Sequence, residues 1–158
     1  MSVSEMDIPL WANYYEDRLK SFKYWPFKKG SCCPEKMAEA GFYSLGKKSE
    51  PDLAKCYVCL KELDGWEQDD DPWSEHRKHA ASCPYVILNK TPDQLTMKEN
   101  LIMQREQLKK ILILNHENKI RMINELQKVV RAELEKIGGK ENKRKTSRAP
   151  SKRTSKKE

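Results

Sequence analysis

Bulky and apolar residues fall into three regimes along the 158-residue chain. Residues 1–88 carry every Trp, Tyr, Phe and Cys, so only this segment has the side chains from which a compact core can be built. Residues 92–137 contain no Gly and no aromatic residue, and a single Pro at their start. Within them Ile120, Ile123, Leu126, Val130, Leu134 and Ile137 recur at steps of three or four, the spacing of one helical face. Leu101, Leu108, Ile111 and Leu112 continue that face upstream less regularly, and the run Ile111 to Leu114 points all round the helix. Thr91-Pro92-Asp93-Gln94 predicts the helix start, with Thr91 as cap and Pro92 at the first helical position. Gly138-Gly139 predicts the stop. Residues 138–158 lack apolar side chains to bury and predict a disordered tail. The expected organisation is therefore an N-terminal segment 1–14, a compact domain 15–88, a linker and long helix 89–137, and a tail 138–158.

A lone helix with such a stripe would expose it to water. The stripe can fold back on the aromatic-rich domain or meet other helices in a coiled coil or bundle. The all-round run at Ile111 to Leu114 favours more than one partner surface. In the bundle reading Leu101, Leu108, Leu112, Ile120, Ile123, Leu126, Val130, Leu134 and Ile137 contact the partner helices.

Charge sharpens this division. The net charge is +7, and residues 138–158 hold nine Lys/Arg against two Glu, so the rest of the chain is neutral overall. The tail is the expected polyanion-binding element, making nonspecific DNA contacts that weaken with salt, unless it only solubilises the chain or directs nuclear import. The first thirty residues have no apolar core of the signal-peptide type, and no stretch approaches the roughly eighteen apolar residues of a membrane span. A soluble chain without membrane contact is expected.

Five cysteines are an odd number, which in a chain without a secretory signal points to metal rather than disulfides. Cys56-Tyr57-Val58-Cys59 forms a two-residue knuckle suited to zinc, and Cys83 supplies a third thiolate. Asp71-Pro72 reads as the cap and first position of a short helix from about Trp73, which would put His76 and Cys83 two turns apart on one face. His79 sits near that face too, and spacing alone does not choose between His76 and His79 as the fourth ligand. Four protein ligands close the coordination shell, so the expected zinc is single and structural. Together with the lack of any discernible nucleophile–base pair, this argues against an enzyme. Cys32 and Cys33 are adjacent and read as free thiols, and His116 as a solvent-facing or interface residue of the long helix.

The stretch from Arg18-x-x-Ser21-Phe22-x-x-Trp25-Pro26, through Met37-Ala38-Glu39-Ala40-Gly41-Phe42-Tyr43, to the Cys56–Cys83 cluster around Gly65-Trp66 and Asp69-Asp70-Asp71-Pro72 resembles a baculoviral inhibitor-of-apoptosis repeat. The resemblance implies an α+β fold, a small zinc-binding domain with a short antiparallel sheet and helices, and it implies His76 as the ligand. One repeat followed by a long helix, without a ring finger, is similar to the members that act as chromosomal passenger complex subunits. Leu60-Lys61-Glu62-Leu63-Asp64-Gly65-Trp66-Glu67 and Glu50-Pro51-Asp52-Leu53-Ala54 carry that closer likeness.

Several expectations follow from the resemblance alone. The long helix would join borealin-like and inner-centromere-protein-like helices, and so bring an Aurora-type kinase to centromeres and then to the spindle midzone and midbody. The protein would be found in the nucleus and cytoplasm. The repeat would capture the N-terminus of a histone tail beginning Ala-Arg-Thr with the threonine phosphorylated. Asp64 and Asp70 would face the amine, Trp66 would wall the first side chain with Leu63 nearby, Lys61 and His79 would face the phosphate, and Glu50 the arginine. The alternative is an apoptosis inhibitor that binds Ala-initiated pro-apoptotic peptides or caspases in the same groove. Free members form homodimers, for which Leu10, Trp11, Leu88, Leu95 and Leu101 are the candidates here. Two departures stand out. Asp64 replaces a common Glu, and Cys33 stands where a phosphorylatable Thr often precedes Pro.

Overall fold

The computed structural model describes residues 9–146, with side chains described through Ile137. Three very short strands form an antiparallel sheet in the order β1 (Phe42–Ser44), β2 (Ala54–Cys56), β3 (Glu62–Leu63). Phe42 lies opposite Cys56, and Lys55 lies opposite Glu62, with which it forms a 2.9 Å ion pair. Gly41 enters β1 at φ +90°, and a Cβ there would stand 2.9 Å from the Tyr85 ring, so both the turn and the packing require glycine. Against this sheet pack α1 (Tyr15–Ser21) and α2 (Pro34–Glu39), with Pro34 in the first turn of α2. The core is largely aromatic. Trp25 meets Phe22, Phe27 and Trp66 edge-on, and Phe42 meets Trp66 the same way.

A buried guanidinium ties the helices together. Arg18 of α1 is 1% exposed. Its Nε and Nη2 donate to Ala38 O at 3.1 Å each, and its Nη1 donates to Ala12 O at 2.8 Å and to Asn13 O at 3.2 Å. The guanidinium carbon lies 4.5 Å from the centre of the Tyr57 ring, so the charge is offset by a π face and carbonyl dipoles instead of a carboxylate.

Beyond the sheet come α3 (Pro72–His79), α4 (Pro84–Leu88) and α5 (Met97–Thr146). Asp71 caps α3 as the sequence predicts, accepting from the Trp73 and Ser74 N–H groups at 2.9 and 3.4 Å. His76 and Cys83 do not share one helix, however. Helix α3 ends at His79, and Cys83 is the N-cap of α4. The Ala80 C-cap leaves helical geometry, and Pro84 can follow only as the first turn of a new helix.

The long helix differs from expectation at both ends. Thr91 and Gln94 do form a capping box, but on a separate 3-10 turn, Pro92–Gln94. Helix α5 begins at Met97 behind a second box, in which Thr96 Oγ1 accepts from the Glu99 N–H and Glu99 accepts from the Thr96 N–H. Lys90 donates to the same carboxylate at 2.6 Å and, with Thr96, holds Glu99 at about 2. The predicted stop at Gly138-Gly139 is also overturned, because α5 continues to Thr146. Two glycines cost roughly 2 kcal/mol relative to alanine. Good helix formers flank them, and extending an existing helix needs no new nucleus. Of the expected tail, residues 147–158 lie outside the described residues.

The chain divides into a compact unit through Leu114 and a second unit from Asn115. In the first, Met103, Gln107 and Ile111 of α5 are buried at successive helical turns, and the core draws in residues on both sides of 15–88. In the second, Ile120, Ile123, Leu126, Val130, Leu134 and Ile137 are all exposed. The fold-back and the unpartnered stripe thus occur on different stretches of one helix. Among the described residues no helix is long and apolar enough to cross a membrane.

Replacing Arg18 by Met should strip the guanidinium donors from the Ala12, Asn13 and Ala38 carbonyls, of which Ala38 O keeps the Gly41 N–H at 3.2 Å, and cost about 3 kcal/mol or more, read as a lowered urea midpoint at fixed zinc concentration. A loss below about 1 kcal/mol would mean that those carbonyls find other donors.

Candidate metal centre and peptide cleft

The knuckle begins at the end of β2. The Leu60 N–H returns to Cys56 O at 3.1 Å, which closes the turn, and Leu60 adopts the left-handed φ of +60° to complete it. This aims the Cys56 and Cys59 sulfurs to one side. Helix α3 brings His76 and the α4 N-cap brings Cys83, so that the donor atoms of Cys56, Cys59, His76 and Cys83 all lie within 4.8 Å of one another. A tetrahedral zinc site with bonds near 2.3 Å has edges of roughly 3.8 Å, close to this spread. The His76 Nδ1–H donates to Ala40 O at 2.9 Å, which leaves Nε2 facing the sulfurs, 3.5 Å from Cys59 Sγ. His79 is not in the cluster, so geometry selects the histidine that spacing could not. Cys32 and Cys33 are free thiols outside it, and burial pushes the Cys32 thiol up to about 12.

Electrostatics point the same way. Burial pushes the Cys56 thiol up, while hydrogen bonds with Cys56 and Cys59 hold the Cys83 thiol far down. Burial opposes charge on His76, but the Cys59 and Cys83 sulfurs outweigh it and carry the imidazole up to about 9. Left to themselves, Cys56, His76 and Cys83 keep protons among them in place of a cation. A dication displaces those protons, so zinc affinity falls as pH falls. The donor set fits one zinc ion, and no ligand position is left open for substrate.

A small cleft of about 50 Å³ opens beside α3, lined by Leu63, Asp64, Gly65, Trp66, Asp70, Glu75 and His79. Gly65 holds φ +71° and donates to Asp52 Oδ2 at 3.0 Å, which shapes the turn carrying Asp64 and Trp66. Trp66 is 6% exposed and its Nε1 donates to Leu63 O, so the indole is at once core and wall. Asp70 accepts from the Glu67 N–H at 2.8 Å through Oδ2. Glu75 lies 3.3 Å from His79 Nε2. Three carboxylates therefore line the cleft that the indole walls, and Glu75 among them also pairs with Lys78 at 3.2 Å.

The Inhibitor of Apoptosis domain family matches residues 18–87. Baculoviral IAP repeat-containing protein 5 of Rattus norvegicus is 41% identical over 131 residues, covering 82% of this chain and 92% of the relative. The chain belongs to the baculoviral IAP repeat-containing protein 5, or survivin, family. Baculoviral IAP repeat-containing protein 5.2 of Xenopus tropicalis is also 41% identical, over 78% of this chain and 80% of that one. A crystal structure of DIAP1 BIR1 bound to a Grim peptide is 31% identical, with a TM-score of 0.43 over 51% of this chain and 77% of that chain.

Within this survivin-family chain the structure gathers most of the expected peptide residues, but not all. Leu63, Asp64, Trp66, Asp70 and His79 share the small cleft. Lys61 lines a neighbouring, larger cleft, into which His79 also reaches. Glu50 is exposed in the Lys47–Glu50 turn and lines neither. Glu75 was not expected, although its place one turn before His79 on α3 could have suggested it. Of the dimer candidates, Leu10, Trp11 and Leu101 are exposed, whereas Leu88 and Leu95 are half-buried against the core. The partner-helix residues Leu101, Leu108 and Leu112 are exposed on the outer side of α5. His116 is exposed.

The purified chain should contain one zinc per molecule. His76→Ala and Cys83→Ser should lose the metal and cooperative unfolding, while His79→Ala keeps both, as followed by zinc release and circular dichroism. Full zinc retention by His76→Ala would remove that residue from the ligand set.

Proposed function

We propose that this protein is a non-enzymatic subunit of the chromosomal passenger complex that reads a histone tail beginning Ala-Arg-phosphothreonine. The observation that carries the proposal is the carboxylate-lined cleft at Trp66. A free α-amine is a cation that needs acceptors on several sides, and Asp64, Asp70 and Glu75 supply them. A space of about 50 Å³ suits an amine and a methyl group, not a large first side chain. His79, shared between this cleft and the one holding Lys61, then stands where the next few residues would pass.

In this proposal the exposed stripe of Leu101, Leu108, Leu112, Ile120, Ile123, Leu126, Val130, Leu134 and Ile137 receives borealin-like and inner-centromere-protein-like helices. Through them an Aurora-type kinase is brought to centromeres, spindle midzone and midbody. The protein acts in nucleus and cytoplasm, and the basic C-terminal residues add nonspecific DNA contact. Free chains pair through Leu10, Trp11 and Leu101.

Fluorescence anisotropy against three peptides tests the reading: an Ala-Arg-Thr histone tail, its phosphothreonine form and an Ala-Val-Pro-Ile peptide. The phosphorylated tail should bind tightest. Lys61→Ala and His79→Ala should each reduce its advantage roughly three- to tenfold, and Asp64→Asn should weaken all three peptides. Preference for Ala-Val-Pro-Ile with no gain from phosphate would place the protein among apoptosis inhibitors instead.

A further inference from the structure

The larger cleft beside the metal centre has two walls of separate origin. One is the knuckle and the turn after α3, contributing Val58, Leu60, Lys61, His79 and Pro84. The other is α5, contributing Glu106, Lys109, Lys110, Ile113 and Leu114. Its volume of about 480 Å³ exceeds what one phosphate needs and admits a whole side chain with flanking backbone. The charge on the walls is one-sided. Lys61, Lys109 and Lys110 face a single carboxylate, Glu106, which Arg105 already holds at 2.7 Å and Lys109 approaches at 3.8 Å.

We propose that Lys109 and Lys110 of α5 complete the phosphate-reading part of the peptide site, so that an anionic side chain of the bound peptide lies between the zinc knuckle and α5. The inference rests on the peptide-reading function above and adds two specificity-determining residues to it. His79 lines both clefts, so a peptide whose amine sits at Asp64, Asp70 and Glu75 reaches the cationic cleft within a few residues at roughly 3.4 Å each. Both walls are fixed in place. Cys59 and Cys83 anchor the knuckle side, and the buried side chains of Met103, Gln107 and Ile111 seat α5. The pairing of an anionic cleft with a cationic one also selects the ligand class. A nucleic-acid backbone would be repelled by the three carboxylates, whereas a peptide with a leading amine and a phosphate shortly after it matches both.

The test uses the full zinc-loaded chain and the ratio of its affinities for the phosphorylated and unphosphorylated Ala-Arg-Thr tail. Lys109→Glu with Lys110→Glu should lower that ratio about tenfold, and Lys109→Gln with Lys110→Gln about threefold. Lys98→Glu with Lys119→Glu carries the same charge change on exposed positions outside the cleft, and should leave the ratio within about twofold. A ratio retained in the Lys109/Lys110 variants, or lost equally in the control, overturns the inference while the phosphate reading by Lys61 and His79 stands. A wild-type chain with no phosphate preference overturns both.

Discussion

Three thiols and an imidazole held within 4.8 Å of one another are poor company for a protein interior unless something cationic sits among them. That constraint organises the domain. The sheet has strands of two or three residues, too short to stand alone, and the two helices that next follow it, α3 and α4, are short as well. A zinc ion bound by Cys56, Cys59, His76 and Cys83 joins the end of β2, helix α3 and the start of α4 at one point. The Ala40 carbonyl that orients His76 extends the tie to the entry of β1. Loss of the metal would loosen the segments on which the cleft at Trp66 is built, since Trp66 and Asp70 lie between two of the ligands in sequence.

Arg18 is the counterpart at the other end of the domain. The metal gathers negative donors around a cation, and the guanidinium gathers carbonyl oxygens and a tyrosine face around another. A small core therefore uses two buried positive charges as fasteners, where a larger domain would rely on apolar contact alone.

Much of this was legible in the sequence, for identifiable reasons. The ligands stood out because thiolate spacing has few other uses, and the Asp71-Pro72 helix start because capping chemistry is local. The choice of His76 over His79 needed either a family likeness or the Ala40 carbonyl, and Ala40 is distant in sequence. The break between α3 and α4 was missed because a two-turn spacing looks the same whether or not the helix is continuous. The stop at Gly138-Gly139 failed for the opposite reason, since a local penalty was outweighed by a helix already formed. Glu75 and the α5 lysines belong to clefts that only tertiary packing assembles, so no local pattern marks them.

The stretch of α5 from Met103 to Leu114 answers to three neighbours at once. Met103, Gln107 and Ile111 face the domain, Lys109 and Lys110 wall a cleft, and Leu108 and Leu112 lie open on the outer side. Each residue added to or removed from a helix turns everything beyond it by about 100°. A single-residue insertion here would exchange these roles, driving a lysine toward the core and an isoleucine toward water. Across the lineage this segment should tolerate changes of residue type far more readily than changes of length.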